Sequence, residues 1–209
     1  MPMSTMLRSL VLLGCLVSCR PMEARQGPSS PGNAVQPVKE AAYVDSLLSR
    51  DEALRRFRAD LQEEPSALSG GFPSREALVR ELVHALEQSD TLALEPLVIT
   101  RAEFAYLYYP SAPLSRPPYE LPPSLMWFQL QESNRSAALV LLRQRGGAPL
   151  GFVWHECAHS ERQGANLIWS ACSLTRRMPD GSERRERLFG SIIERDGRYK
   201  FVGLSNELH

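Results

Sequence analysis

Six of the sixteen prolines in this 209-residue chain lie between Pro110 and Pro123. Proline fixes φ at about −65° and has no N–H to donate, so this density excludes a continuous helix or an interior strand. The segment, with Tyr119 inside it, reads as a loop. It separates a helix-patterned stretch from a long helix and a strand-patterned ending.

Before the loop, Leu47, Leu48, Leu54, Phe57 and Leu61 recur at one-face spacing, which predicts helix within residues 39–63 of an N-terminal helical segment over 39–66. Ser49, with Glu52 three residues on, resembles a capping box and allows a break there. Arg55, Arg56 and Arg58 alternate with acids, which fits a solvated helix face better than a phosphate site. Gly70-Gly71-Phe72-Pro73 breaks the chain. Ser74 is placed to cap a helix over 75–88, with Leu78, Val79, Leu82, Val83 and Leu86 as its stripe and His84 off it. Asp90 suits the start of a short helix ending near Pro96, and Thr100 with Glu103 forms a second capping-box pattern. Residues 104–109 fit a helical turn or a strand equally. After the loop, Ser124 is expected to cap a long helix over about 125–144, stopped by Gly146-Gly147.

The period then changes. Residues 150–158, 166–177, 184–194 and 198–205 read as four strands, with turns at Pro179-Asp180-Gly181 and Asp196-Gly197. Short turns between them predict an antiparallel meander. The expected class is α+β: N-terminal helices and one long helix packed on a curved antiparallel sheet.

Charge narrows the function classes. The chain carries 24 Lys+Arg against 24 Asp+Glu, so no basic field draws it to nucleic acid. Any membrane association must come from something other than net charge.

The N-terminus supplies such a device. Arg8 precedes the apolar run Leu10 to Val17, too short to span a bilayer and of signal-peptide length. Leu16-Val17-Ser18-Cys19 resembles the lipobox of bacterial lipoproteins, and Leu12-Leu13-Gly14-Cys15 is a second candidate. The resemblance implies that residues 1–18 are a lipoprotein signal peptide and that the Cys19 thiol carries a diacylglycerol. Arg20, where that family's inner-membrane retention signal has Asp, implies an outer-membrane anchor, on the periplasmic face or the cell surface. Residues 19–38, rich in Pro, Gly and Ser, read as a flexible tether.

The order of helix, short helix, irregular segment, long helix and meander, ending in Leu188-Phe189-Gly190-Ser191-Ile192-Ile193-Glu194 and Arg198-Tyr199-Lys200-Phe201, resembles the nuclear-transport-factor-two-like, or cystatin-like, cone over 74–206. That resemblance implies a sheet curved around the long helix with a pocket at its wide end. Residues 100–123 depart from the pattern, having prolines and aromatics where the family often has two strands.

Two constellations remain. If the hairpin between the first two strands turns at Gly164-Ala165, Cys157 and Cys172 face each other, and an oxidising envelope favours a disulfide. Trp154-His155-Glu156-Cys157-Ala158-His159 contains the His-Glu-x-x-His pattern of zinc-dependent metallopeptidases, in which both histidines ligate zinc and the glutamate is the base. That chemistry requires a helix. Phe152, Val153 and Trp154 favour a strand, on which residues four apart lie about 13 Å apart. A third ligand is also missing, so the expectation is no metal and no cofactor. No Gly-x-Ser-x-Gly elbow and no phosphate-binding glycine loop occurs.

Tyr106, Tyr108, Tyr119, Trp127 and Trp169 are the candidate lining of an apolar pocket. The sequence-level expectation is a lipid-anchored cell-envelope protein, non-enzymatic, that binds a small molecule or a protein. A zinc hydrolase using His155, Glu156 and His159 is the alternative.

Overall fold

The computed structural model describes residues 48–204. Cys19, the signal segment and the tether lie outside the described residues.

Ser49 caps α1 (Arg50–Ala59), its Oγ accepting from the Glu52 N–H at 3.3 Å. The predicted helical pattern runs on to residue 63, but the helix stops at Ala59, with Asp60 at its C-cap. Ser74 caps α2 (Arg75–Glu87) through the Ala77 N–H at 3.0 Å, and the expected stripe is buried. Asp90 accepts from Leu92 and Ala93 at the head of a 3-10 turn, Leu92–Leu97.

The capping box at Thr100 and Glu103 is fully formed and starts α3 (Arg101–Glu103). The chain then widens into a π turn, Phe104–Tyr108, and tightens into a 3-10 turn, Tyr109–Ser111. The strand option for 104–109 falls. This coil turns Phe104, Ala105, Leu107 and Tyr109 inward, where a strand would alternate them between two faces.

The proline segment is irregular, as expected, but it is firmly held. Arg50 Nη2 donates to Pro110 O at 2.7 Å, and Tyr109 OH donates to Leu121 O at 2.9 Å. Asn166, at the tip of the long hairpin, donates to Leu107 O at 2.7 Å and to Ser111 Oγ at 3.2 Å. Beyond it runs α4 (Pro123–Arg145). Ser124 does not cap this helix. Pro122 occupies the cap position and Pro123 the first helical position, where a missing N–H costs nothing and the fixed φ suits the helix.

The strands are β1 (Phe152–Gln163), β2 (Asn166–Arg177), β3 (Glu183–Glu186), β4 (Ile192–Arg195) and β5 (Arg198–Phe201). They form an open antiparallel sheet in the order β1–β2–β4–β5. The single third strand predicted over 184–194 is two strands. β3 pairs with Leu174–Arg177 and β4 with Leu167–Trp169, both on β2. Between them Leu188 and Phe189 leave the ladder and enter the core, the Phe189 ring meeting that of Phe201 at a tilt, with centroids 5.0 Å apart.

Two apolar clusters flank the sheet. One joins the α2 stripe to Leu141, Cys172, Leu174, Phe189, Ile192 and Phe201. The other joins Leu54, Phe57, Phe104, Tyr109, Met126 and Leu130 to Ile168, Ile193 and Val202. Successive residues Ile192 and Ile193 thus enter opposite clusters, as strand alternation requires. Through Leu141 at one end and Met126 and Leu130 at the other, α4 reaches both clusters, packing the long helix on the sheet.

β2 does not alternate regularly. Ile168 and Leu174 are six apart and would share a face on an undistorted strand. They enter different clusters, and between them Ala171 sits at φ 52°. That left-handed residue reverses the facing of β2 and lets one strand serve both cores.

Candidate functional site

The His-Glu-x-x-His segment lies within β1. Strand rise places His155 and His159 about 13 Å apart, too far for two ligands each about 2 Å from one zinc. Each neighbour has its own task. His155 Nδ1 lies 2.9 Å from Glu76 Oε2 on α2. Burial lowers the His155 pKa, although Glu76 pulls the other way. Glu156 pairs with Arg185 of β3, and His159 is exposed.

Cys157 and Cys172 stand directly opposite in the β1–β2 register and are bonded, with Cα atoms 3.9 Å apart. The hairpin turns at Gly164, which has φ 64°, as the cysteine spacing required.

The five aromatic residues are not brought together. Tyr106, Tyr108 and Trp127 pack against the cluster around Phe104, Trp127 lying 5.2 Å from that ring. Tyr106 carries the Arg58 guanidinium over its face at 4.2 Å and donates to Glu64. Burial pushes the Tyr108 phenol up to about 12. Trp169 packs on the other cluster, under Arg75 at 3.8 Å, and donates to Glu194. Tyr119 is exposed on the proline loop. Tyr106, Tyr108, Trp127 and Trp169 serve the two cores rather than a shared wall, and Tyr119 serves neither.

A different feature has the form of a binding site. A groove of about 830 Å³ runs between the C-terminal half of α4 and β3. Ala137, Val140, Leu141, Leu188 and Leu204 supply its apolar surface, and Glu132, Arg145, Arg184, Glu186 and Arg187 its charge, three cations against two acids. The outward residues Leu139 and Val140 continue the apolar strip on the helix.

Glu186 is the hinge of its electrostatics. Arg145 Nη2 lies 3.0 Å and Arg176 Nη2 3.2 Å from its carboxylate, with Arg184 Nε at 3.8 Å. Burial alone would raise the Glu186 pKa, but the hydrogen bonds from Arg145 and Arg176 outweigh it and hold the carboxyl ionised below its ordinary range. One carboxylate therefore faces three guanidinium groups. The Nε donors of Arg145 and Arg176 are buried without a hydrogen-bond partner among the described residues. Unsatisfied buried donors of this kind each cost about 1–3 kcal/mol.

The charge run Glu183-Arg184-Arg185-Glu186-Arg187 is visible in the sequence. Its meeting with Arg145 is not, because the two lie on separate elements, joined by the Arg145–Glu186 pair. Of the described residues, no cluster of three His, Cys, Asp or Glu side chains is placed to hold a metal ion. No family model, characterised protein or solved structure matches this chain.

Proposed function

We propose that this chain is a lipid-anchored protein of the cell envelope whose globular domain is a binding module rather than an enzyme. Its groove between α4 and β3 takes an acidic, amphipathic segment of a partner protein. The observation that carries the reading is the set of three arginines around one glutamate beside an exposed apolar strip. Apolar side chains of the partner would lie on Ala137 and Val140, above the buried Leu141 and Leu188, and its carboxylates would face Arg145 and Arg184. An open groove suits a peptide segment, whereas small molecules favour sites that enclose most of their surface. The strand conformation of residues 155–159 supports binding over zinc hydrolysis. The lipobox-like Leu16-Val17-Ser18-Cys19 supports the anchor.

The anchor is tested by feeding labelled fatty acid to cells producing the chain. Label on the native protein and none on Cys19→Ala is the expected result. The groove is tested by fluorescence anisotropy with two designed peptides, one alternating Glu and Leu and one alternating Lys and Leu. The acidic peptide should bind more tightly, weaken with salt and be lost on Val140→Glu. Equal binding of both peptides, or indifference to Val140→Glu, would overturn the assignment.

A further inference from the structure

We infer that the proline loop and the first turns of α4 form a second surface, one that seats the domain against a lipid bilayer. The inference rests on the lipid-anchor reading, because an acylated chain holds its domain within reach of a membrane.

Nine large hydrophobic residues are exposed among the described residues, and four of them, Leu114, Tyr119, Leu125 and Phe128, fall within residues 114–128. Two are aromatic, with Tyr119 67% and Phe128 59% exposed. The fold holds them in place. Leu121 N donates to Leu114 O at 2.8 Å, and Tyr109 OH donates to Leu121 O at 2.9 Å, closing the loop onto the buried coil beneath it. Leu125 and Phe128 are three apart on α4 and so project from neighbouring positions on one side of the helix. Rigid presentation matters because a flexible loop would lose entropy on docking.

Charge selects the occupant. Within residues 114–128 the charged side chains are Arg116 and Glu120, one of each sign. A neutral patch tipped by Tyr and Phe suits an interface: Tyr119 buries its ring and keeps its hydroxyl at the headgroups, and Phe128 adds a purely apolar wedge. It lacks the surplus of Lys and Arg that recruits a protein to anionic lipid. Zwitterionic lipid is therefore sufficient, and salt leaves the association unchanged. The surface also differs in kind from the α4–β3 groove, whose arginines make it salt-sensitive.

The test uses the mature chain from residue 19 with Cys19→Ser, which removes the acyl group and leaves the rest of the protein whole. Its sedimentation with phosphatidylcholine vesicles is measured at low and high salt. Binding at both salt concentrations, reduced roughly tenfold by Phe128→Glu and again by Tyr119→Glu, is the expected result. Both positions are exposed, so the variants keep the native circular dichroism. Three results would overturn the inference: no sedimentation of the parent chain, binding only to vesicles containing phosphatidylglycerol, or a concentration-dependent dimer that Phe128→Glu abolishes without any vesicle binding. Because this chain carries no acyl group, failure here leaves the fatty-acid labelling of Cys19 intact, and failure of labelling leaves vesicle binding by the patch intact.

Discussion

Lys200 Nζ lies 3.0 Å and 3.1 Å from the two carboxylate oxygens of Glu103, and both side chains are almost fully buried. Glu103 also accepts from the Ser69 and Thr100 backbone N–H groups, each at 2.7 Å. One carboxylate thus ties the segment before α2, the start of α3 and the last strand together. Its capping-box role is local and visible in sequence, but its partner is 97 residues away.

Removing Lys200 leaves that carboxylate charged, buried and without a counter-ion. Lys200→Met should cost about 3–5 kcal/mol, the usual range for breaking a buried pair from one side. The double variant with Glu103→Gln should recover part of the loss, because neither charge then remains. Urea denaturation of the parent, the single variants and the double variant measures the coupling.

Ala171 offers a second, opposite prediction. An alanine at φ 52° is in a region that costs a residue with a Cβ about 1–2 kcal/mol. Ala171→Gly should raise stability by about 0.5–1 kcal/mol, since the greater freedom of glycine in the unfolded chain offsets part of the relief. Ala171→Val should lower it by about 1–3 kcal/mol, because a β-branched residue tolerates that backbone least. Thermal unfolding of the two variants, shifting in opposite senses, is the expected outcome.

His155 makes stability depend on pH. Burial lowers its folded pKa below the ordinary value near 6.5, so the folded chain binds fewer protons than the unfolded chain as pH falls through that value. Its contribution is fully present above about pH 6.5 and is lost progressively on acidification towards the folded pKa. His155→Gln should therefore lose less stability between pH 7.5 and about pH 5 than the parent. An equal loss of stability between the two pH values in both proteins, read from the denaturation midpoints, would contradict the assignment.

What could be read from the sequence follows the range of the interactions. The caps at Ser49, Ser74, Asp90 and Thr100 were legible because each bonds within three residues. The pairing of Cys157 with Cys172 was legible because one turn at Gly164 fixes a whole hairpin register. Ser124 misled because proline at the first helical position removes the need for the cap it offered. The split between β3 and β4 was hidden because Leu188 and Phe189 leave the ladder for partners such as Phe201, beyond local reach. The aromatic residues misled for the same reason: type marks them as pocket material, whereas only packing decides which core each one fills. The groove itself was illegible, since it exists where the end of α4 meets β3.

The most direct test of the account is a charge swap at the groove rim. Arg184 is exposed, so Arg184→Glu should fold normally. Anisotropy is measured for the native chain and this variant against the acidic peptide and its Lys-substituted counterpart. Arg184→Glu should weaken binding of the acidic peptide several-fold and strengthen that of the basic one, both effects fading in high salt. Unchanged preference for the acidic peptide in the variant would contradict the assignment of this groove as the partner site.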